Sequence, residues 1–228
     1  MKYRLPLPAL LCLLLVSPAA ADTSFVNSGQ TNVLLDTAAL ETAASLSLSG
    51  VSDAVIAPGS LGDGSVAFPI NPRTASAPLL PTTFAYDSDD FLGTFSGAIE
   101  HEGSVLFNSD SVEVGNFTIG FDGARAGTLG GAASGFFVES TVGIAAILFD
   151  IENPSSLAAT GSSLDIAANL LVSPEFAGFL QQNSLASSDL SGVDVGDALV
   201  AAGAVPEPSS VALAGLVVAA AATRRRNR

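Results

Sequence analysis

No tryptophan occurs in this sequence, and cysteine, methionine and histidine occur once each. The one cysteine, Cys12, lies in an apolar N-terminal stretch, so the rest of the chain has no thiol for a disulfide, a nucleophile or a thiolate-bound metal. Leu11 stands before it where a lipoprotein signal requires a small residue, so lipid attachment at Cys12 is not expected. The lack of tryptophan, with only Tyr3 and Tyr86 as tyrosines, removes the usual stacking platform for sugars. Tyr86, beside Asp87, is the one candidate ligand-facing aromatic, and the 13 phenylalanines are expected largely in a core.

Positive charge is the next scarcity. Lys2 and Arg4 lie near the start and Arg224, Arg225, Arg226 and Arg228 at the end, leaving only Arg73 and Arg125 between residues 22 and 205. Against them stand 21 acidic residues, a net charge of −19 over that span. Such a field repels phosphate backbones and anionic surfaces while favouring solubility and cations, which excludes nucleic-acid binding.

The first 21 residues, MKYRLPLPALLCLLLVSPAAA, combine a basic start, an apolar stretch and small residues, the pattern of a secretory signal peptide. Ala19 and Ala21 fit the small-x-small cleavage rule, which predicts a mature chain beginning at Asp22 and export by the general secretion machinery.

The other end reads VPEPSSVALAGLVVAAAATRRRNR. Residues 209–223 form an apolar helix on this reading, and fifteen helical residues reach about 22 Å, short of a hydrocarbon core of about 30 Å. A short transmembrane helix followed by arginines holds its basic end in the cytoplasm and the acidic domain outside. The bland reading of Pro206 and Pro208 is a helix-breaking linker before a tail anchor.

Three ordered elements coincide here: Pro206-Glu207-Pro208, the short apolar helix, and Arg224-Arg225-Arg226. Together they resemble a PEP-CTERM sorting signal over roughly the last 24 residues. The resemblance implies a Gram-negative bacterium in which an exosortase, a membrane peptidase, recognises Pro206-Glu207-Pro208 and processes the tail. It also implies passage through an inner-membrane intermediate to the envelope surface or extracellular matrix, where exopolysaccharide is a partner.

Between the termini, frequent punctuation by Pro58-Gly59, Gly62-Asp63-Gly64, Asn71-Pro72, Asp122-Gly123, Gly130-Gly131 and Asn153-Pro154 predicts short strands joined by turns, with no internal repeat. SLDIAANLLV puts Leu164, Ile166, Ala168, Leu170 and Val172 on one face. Gly143 to Ile151 is apolar on both faces and is expected to be central. In SVEVGNFTIGFD the parity of Val112 and Val114 is opposite to that of Phe117, Ile119 and Phe121, which calls for a bulge or bend near Gly115-Asn116.

Short helices are expected after Asp36-Thr37, with Thr37 and Glu41 near a capping arrangement, and after Ser173-Pro174-Glu175, where Ser caps and Pro opens the helix. The fold class is therefore mainly all-β, a β-sandwich or jelly-roll-like domain with one or two short helices. The N-terminal signal and the C-terminal transmembrane helix flank it. The expected domains are a signal peptide at 1–21, the acidic β-rich domain at 22–184, a flexible linker at 185–204 that includes Asp194 and Asp197, and the sorting signal at 205–228.

Candidate chemistry is sparse. His101 sits between Glu100 and Glu102, yet on an extended chain it shares its face with Ile99, Val105 and Phe107 while the glutamates point away. A structural histidine follows, and a secreted hydrolase built on His101 is a lesser alternative, without a Gly-x-Ser-x-Gly elbow to supply a nucleophile. Asp87, Asp89 and Asp90 form the densest acidic cluster and could offer calcium several oxygens from one loop, although the remaining EF-hand ligands are missing. A Ca²⁺-dependent adhesion or glycan-binding module is the alternative built on them. Asp63 and Asp122, each before glycine, read as turn residues. The leading expectation is a non-enzymatic exported protein without a resident cofactor.

Overall fold

The computed structural model describes residues 23–207. It is mostly β, with a curled antiparallel sheet and few helices. The strands are β1 (Thr23–Leu35), β2 (Leu48–Val51), β3 (Val66–Pro69), β4 (Ala85–Asp87), β5 (Ile99–Glu100), β6 (Ser104–Phe107) and β7 (Val112–Gly115). They continue with β8 (Thr118–Phe121), β9 (Ala133–Ser140), β10 (Val142–Gly143), β11 (Ala146–Glu152), β12 (Ser156–Ala159), β13 (Ser163–Val172) and β14 (Asp194–Pro206). The helices are α1 (Thr37–Ala44), α2 (Phe91–Thr94) and α3 (Pro174–Gln182).

The larger, ten-stranded sheet runs β3-β1-β14-β13-β11-β9-β8-β5, with β12 on β13 and β4 on β1. The smaller sheet runs β10-β7-β6-β2. Both contribute to one core: Val105, Phe107 and Val114 from the small sheet join Leu148, Leu164, Leu170 and Val200 from the large one.

Chain patterning explains most of these elements. On β13, Leu164, Ala168, Leu170 and Val172 are buried and Asp165 is exposed, as alternation requires. The cap expected for α3 is present, whereas that of α1 is displaced from Thr37 and Glu41. Asp36 accepts from the amide of Ala39 at the start of α1, so the cap falls one residue before Thr37. Ser173 accepts from the amide of Phe176 at α3, with Pro174 in the first turn. Phe176 and Leu180 are buried, and Phe179 packs against the core at its margin.

The expected irregularity at Gly115-Asn116 is larger than a bulge. The chain leaves the small sheet at Gly115, turns through Asn116 at φ 47° and enters the large sheet at Thr118. A side chain at Gly115 would bring its Cβ within 2.4 Å of Ser104 Cβ on the paired strand, which reserves the position for glycine. Phe117 and Ile119 are buried, whereas Phe121, expected with them, is exposed at the strand end. The apolar run from Gly143 is likewise split between β10 in the small sheet and β11, which lies between β9 and β13.

One segment departs clearly from expectation. Residues 185–204 are not a flexible linker: Ala186 and Leu190 are buried, and β14 occupies most of the remainder, paired with β1 on one side and β13 on the other. The β-rich unit therefore runs on past 184, to the start of the sorting signal. Small side chains in DVGDALVAAGAVP suggest a spacer by composition, but two flanking strands satisfy its backbone while Val195, Val200 and Ala202 are buried. Asp194 is accordingly fixed on this strand, accepting from the side-chain amide of Asn169, and Asp197 is exposed on it.

Candidate functional site

The site indicated by sequence begins where β14 ends. Its last residues pair with the first of β1, Val205 with Phe25 and Pro206 with Ser24, and the amide of Glu207 donates to the carbonyl of Thr23 at 2.8 Å. Pro206 has no amide to contribute, and it stands at the strand terminus where none is missed. Val205 and Glu207 are exposed, so the onset of Pro206-Glu207-Pro208 is ordered and accessible. Pro208, Arg224, Arg225 and Arg226, the apolar segment 209–223 and the cleavage residues Ala19 and Ala21 lie outside the described residues. Among the described residues no helix is long and apolar enough to cross a membrane.

The other edge of β1 carries β4, pairing Thr23 with Asp87 and Ser24 with Tyr86. The acidic loop and the start of the sorting signal thus flank the same three residues of β1. Within the loop, Asp87 is buried and its Oδ1 accepts from the amide of Asp89 at 2.9 Å, while Asp90 caps α2 by accepting from Gly93 at 3.1 Å. These bonds are those of a turn leading into a helix cap. Among the described residues no group of three or more His, Cys, Asp or Glu side chains is placed to hold a metal ion.

Tyr86 does not face a ligand. It is fully buried, and its hydroxyl lies 2.7 Å from the carbonyl of Thr160 and 2.8 Å from that of Ser163, tying β4 to the turn before β13. Burial and the charge of Asp165 raise its pKa above the usual phenol value.

His101 is also a core residue, as its parity predicts, and is enclosed with Ile99, Val105 and Phe107. Nδ1 lies 2.9 Å from the carbonyl of Phe117, which can only accept, so Nδ1 carries the proton. Nε2 therefore accepts from the Thr31 hydroxyl at 2.7 Å. Desolvation lowers its pKa to about 4, partly offset by the bond to Phe117, and the imidazole is neutral at physiological pH. Neither nitrogen meets a carboxylate. Glu100 is buried apart from it and accepts from Thr118 at 2.6 Å; desolvation raises its pKa despite that bond.

The strongest polar arrangement was not expected. Arg125 grips two carboxylates: Nε and Nη2 donate to Asp150 at 2.6 and 2.9 Å, and Nη1 and Nη2 donate to Glu175 at 2.7 and 2.9 Å. Asp150 is buried on β11 and Glu175 lies in the first turn of α3, so a single side chain from the 122–128 loop fastens strand to helix. The hydrogen bonds raise the pKa of Arg125 and lower that of Glu175. Its sequence clue was rarity, since only Arg73 and Arg125 are basic in this region. Arg73 stacks on the Phe25 ring, 3.8 Å from its centroid.

No curated protein matches this chain. Among solved structures, the crystal structure of the C-terminal domain of HtaA from Corynebacterium glutamicum is similar with a TM-score of 0.44 and 15% identity, over 78% of this chain and 99% of that one. The family model described as the PEP-CTERM protein-sorting motif matches residues 204–226. A PEP-CTERM sorting motif is therefore present at the C-terminus, and it implies an exported, envelope-associated protein with an exosortase as its processing partner.

Proposed function

We propose that this chain is a non-enzymatic protein of the cell envelope surface or extracellular matrix, delivered there by processing at Pro206-Glu207-Pro208. The observation that carries the reading is the join: the matched motif begins at residue 204, inside β14, which ends at Pro206. The ordered domain thus reaches its sorting site without a spacer. The net charge of −19 over residues 22–205 supports a soluble, self-repelling surface or matrix component. The buried, fully partnered His101 supports a non-catalytic role, and two sheets around one core support a β-sandwich reading. On this reading segment 209–223 holds an inner-membrane intermediate, Arg224, Arg225 and Arg226 keep its end cytoplasmic, and exopolysaccharide is the surrounding partner.

The test replaces Pro206, Glu207 and Pro208 together by alanine in the native host, followed by fractionation and intact-mass measurement. The natural chain is expected at the surface or in the matrix without its tail mass, and the variant in the membrane with the tail retained. Identical location and mass for both would overturn the reading.

A further inference from the structure

The core contains a cavity of about 90 Å³ bounded by strands of both sheets and by α1 and α3. Its lining is apolar except for Thr31 and His101, which bond to each other, with His101 also bonded to Phe117. No buried side-chain nitrogen or oxygen among the described residues lacks a partner. A water inside would therefore find few groups to bond, and the space suits an apolar occupant.

The void has an identifiable origin. Ala168 pairs with Ala198 across β13 and β14, and Ala198 pairs with Val33 across β14 and β1, so small side chains line up in one row of the wall. Larger residues, including Leu148 and Phe117, line the rest of it. Val33 and Ala198 are half-buried, as are Leu35, Phe136, Phe149 and Ile166 elsewhere in the lining, whereas Ala168 and Leu148 are buried.

We infer that the cavity is a binding site for an alkyl group of a few carbon atoms. Its volume is below the roughly 150 Å³ of an apolar cavity that takes up benzene, which limits the occupant to a few carbon atoms. The site is independent of the sorting signal, since Pro206 and Glu207 do not line it.

Methyl NMR of the purified chain, titrated separately with pentane and with decanoic acid, tests this. Saturable shifts confined to the Val138, Leu148, Leu170 and Val200 methyls are expected with pentane. The same shifts with decanoic acid would identify an acyl-chain end as a competent occupant, and their absence would restrict the site to free hydrocarbons. Ala168→Leu and Ala198→Leu, made separately, are each expected to weaken pentane binding at least tenfold with the fold retained. Should neither variant fold, xenon uptake by the natural chain decides, with a discrete internal xenon expected. No saturable shift and no internal xenon, or unaltered pentane affinity in a folded leucine variant, would overturn the inference.

Discussion

The amide of Glu207 donates to the carbonyl of Thr23 at 2.8 Å, joining the middle of the sorting tripeptide to the first described residue of the domain. This bond closes a ladder in which β1 and β14 pair along almost their entire lengths. The tripeptide is consequently part of the sheet's margin at its first two residues, and not a free peptide.

Hydrogen exchange should detect that attachment. The Glu207 amide is expected to exchange at least tenfold more slowly than in a peptide of the same sequence, and shortening the chain to begin at Phe25 is expected to abolish the protection. Equal rates in domain and peptide would show that the pairing does not persist in solution.

Arg125 should be the most sensitive polar position. Arg125→Leu leaves the buried Asp150 carboxylate without its counter-charge and is expected to destabilise the domain by about 3–5 kcal/mol. Arg125→Lys should recover part of this, because an ammonium cannot reproduce two forked contacts. Urea denaturation measures both, and a loss under about 1 kcal/mol for Arg125→Leu would contradict the arrangement.

The neutral His101 predicts a particular acid response. Its pKa is lowered from 6.5 to about 4 on folding, so below pH 6.5 the unfolded chain takes up a proton that the folded chain does not. The stability contributed by the neutral ring is present above pH 6.5 and is lost as pH falls from there to about 4, by about 3 kcal/mol in all. Comparing urea midpoints of the natural chain and His101→Gln between pH 7.5 and 4.5 isolates this contribution, and the variant should show a shallower fall.

Ser173 bridges two elements through one hydroxyl, accepting from Phe176 and donating to the carbonyl of Ile147 at 2.7 Å. Ser173→Ala should cost about 1–2 kcal/mol, whereas Ser184→Ala, beyond the end of α3, should cost far less. Thermal melts distinguish the two.

Sequence reasoning succeeded where a segment keeps one parity or carries a complete cap. β13 buries Leu164, Ala168, Leu170 and Val172 on one parity, although Leu171 near its end is buried as well, and Ser173-Pro174-Glu175 specifies its helix locally. No single parity marks β1 in the sequence, because the register shifts between Val26 and Ser28 and moves the inward set from Ser24 and Val26 to Thr31, Val33 and Leu35. Gly29, at φ 112°, completes the distortion where a Cβ would meet the carbonyl oxygen of Ala201. β14 was hidden by its alanines and glycines, whose burial depends on neighbours distant in sequence. At the candidate site, the sorting tripeptide was legible because its signal is local. The partners of His101, Tyr86 and Arg125 were not, because each bond spans 16 residues or more.

β14 has β1 on one flank and β13 on the other, so the sheet has an empty slot at its middle until residues 194–206 arrive. A chain emerging from its N-terminus can form local hairpins but cannot close this slot. Closure of the sheet is thereby tied to the C-terminal end of the domain, the part of it that is synthesised last.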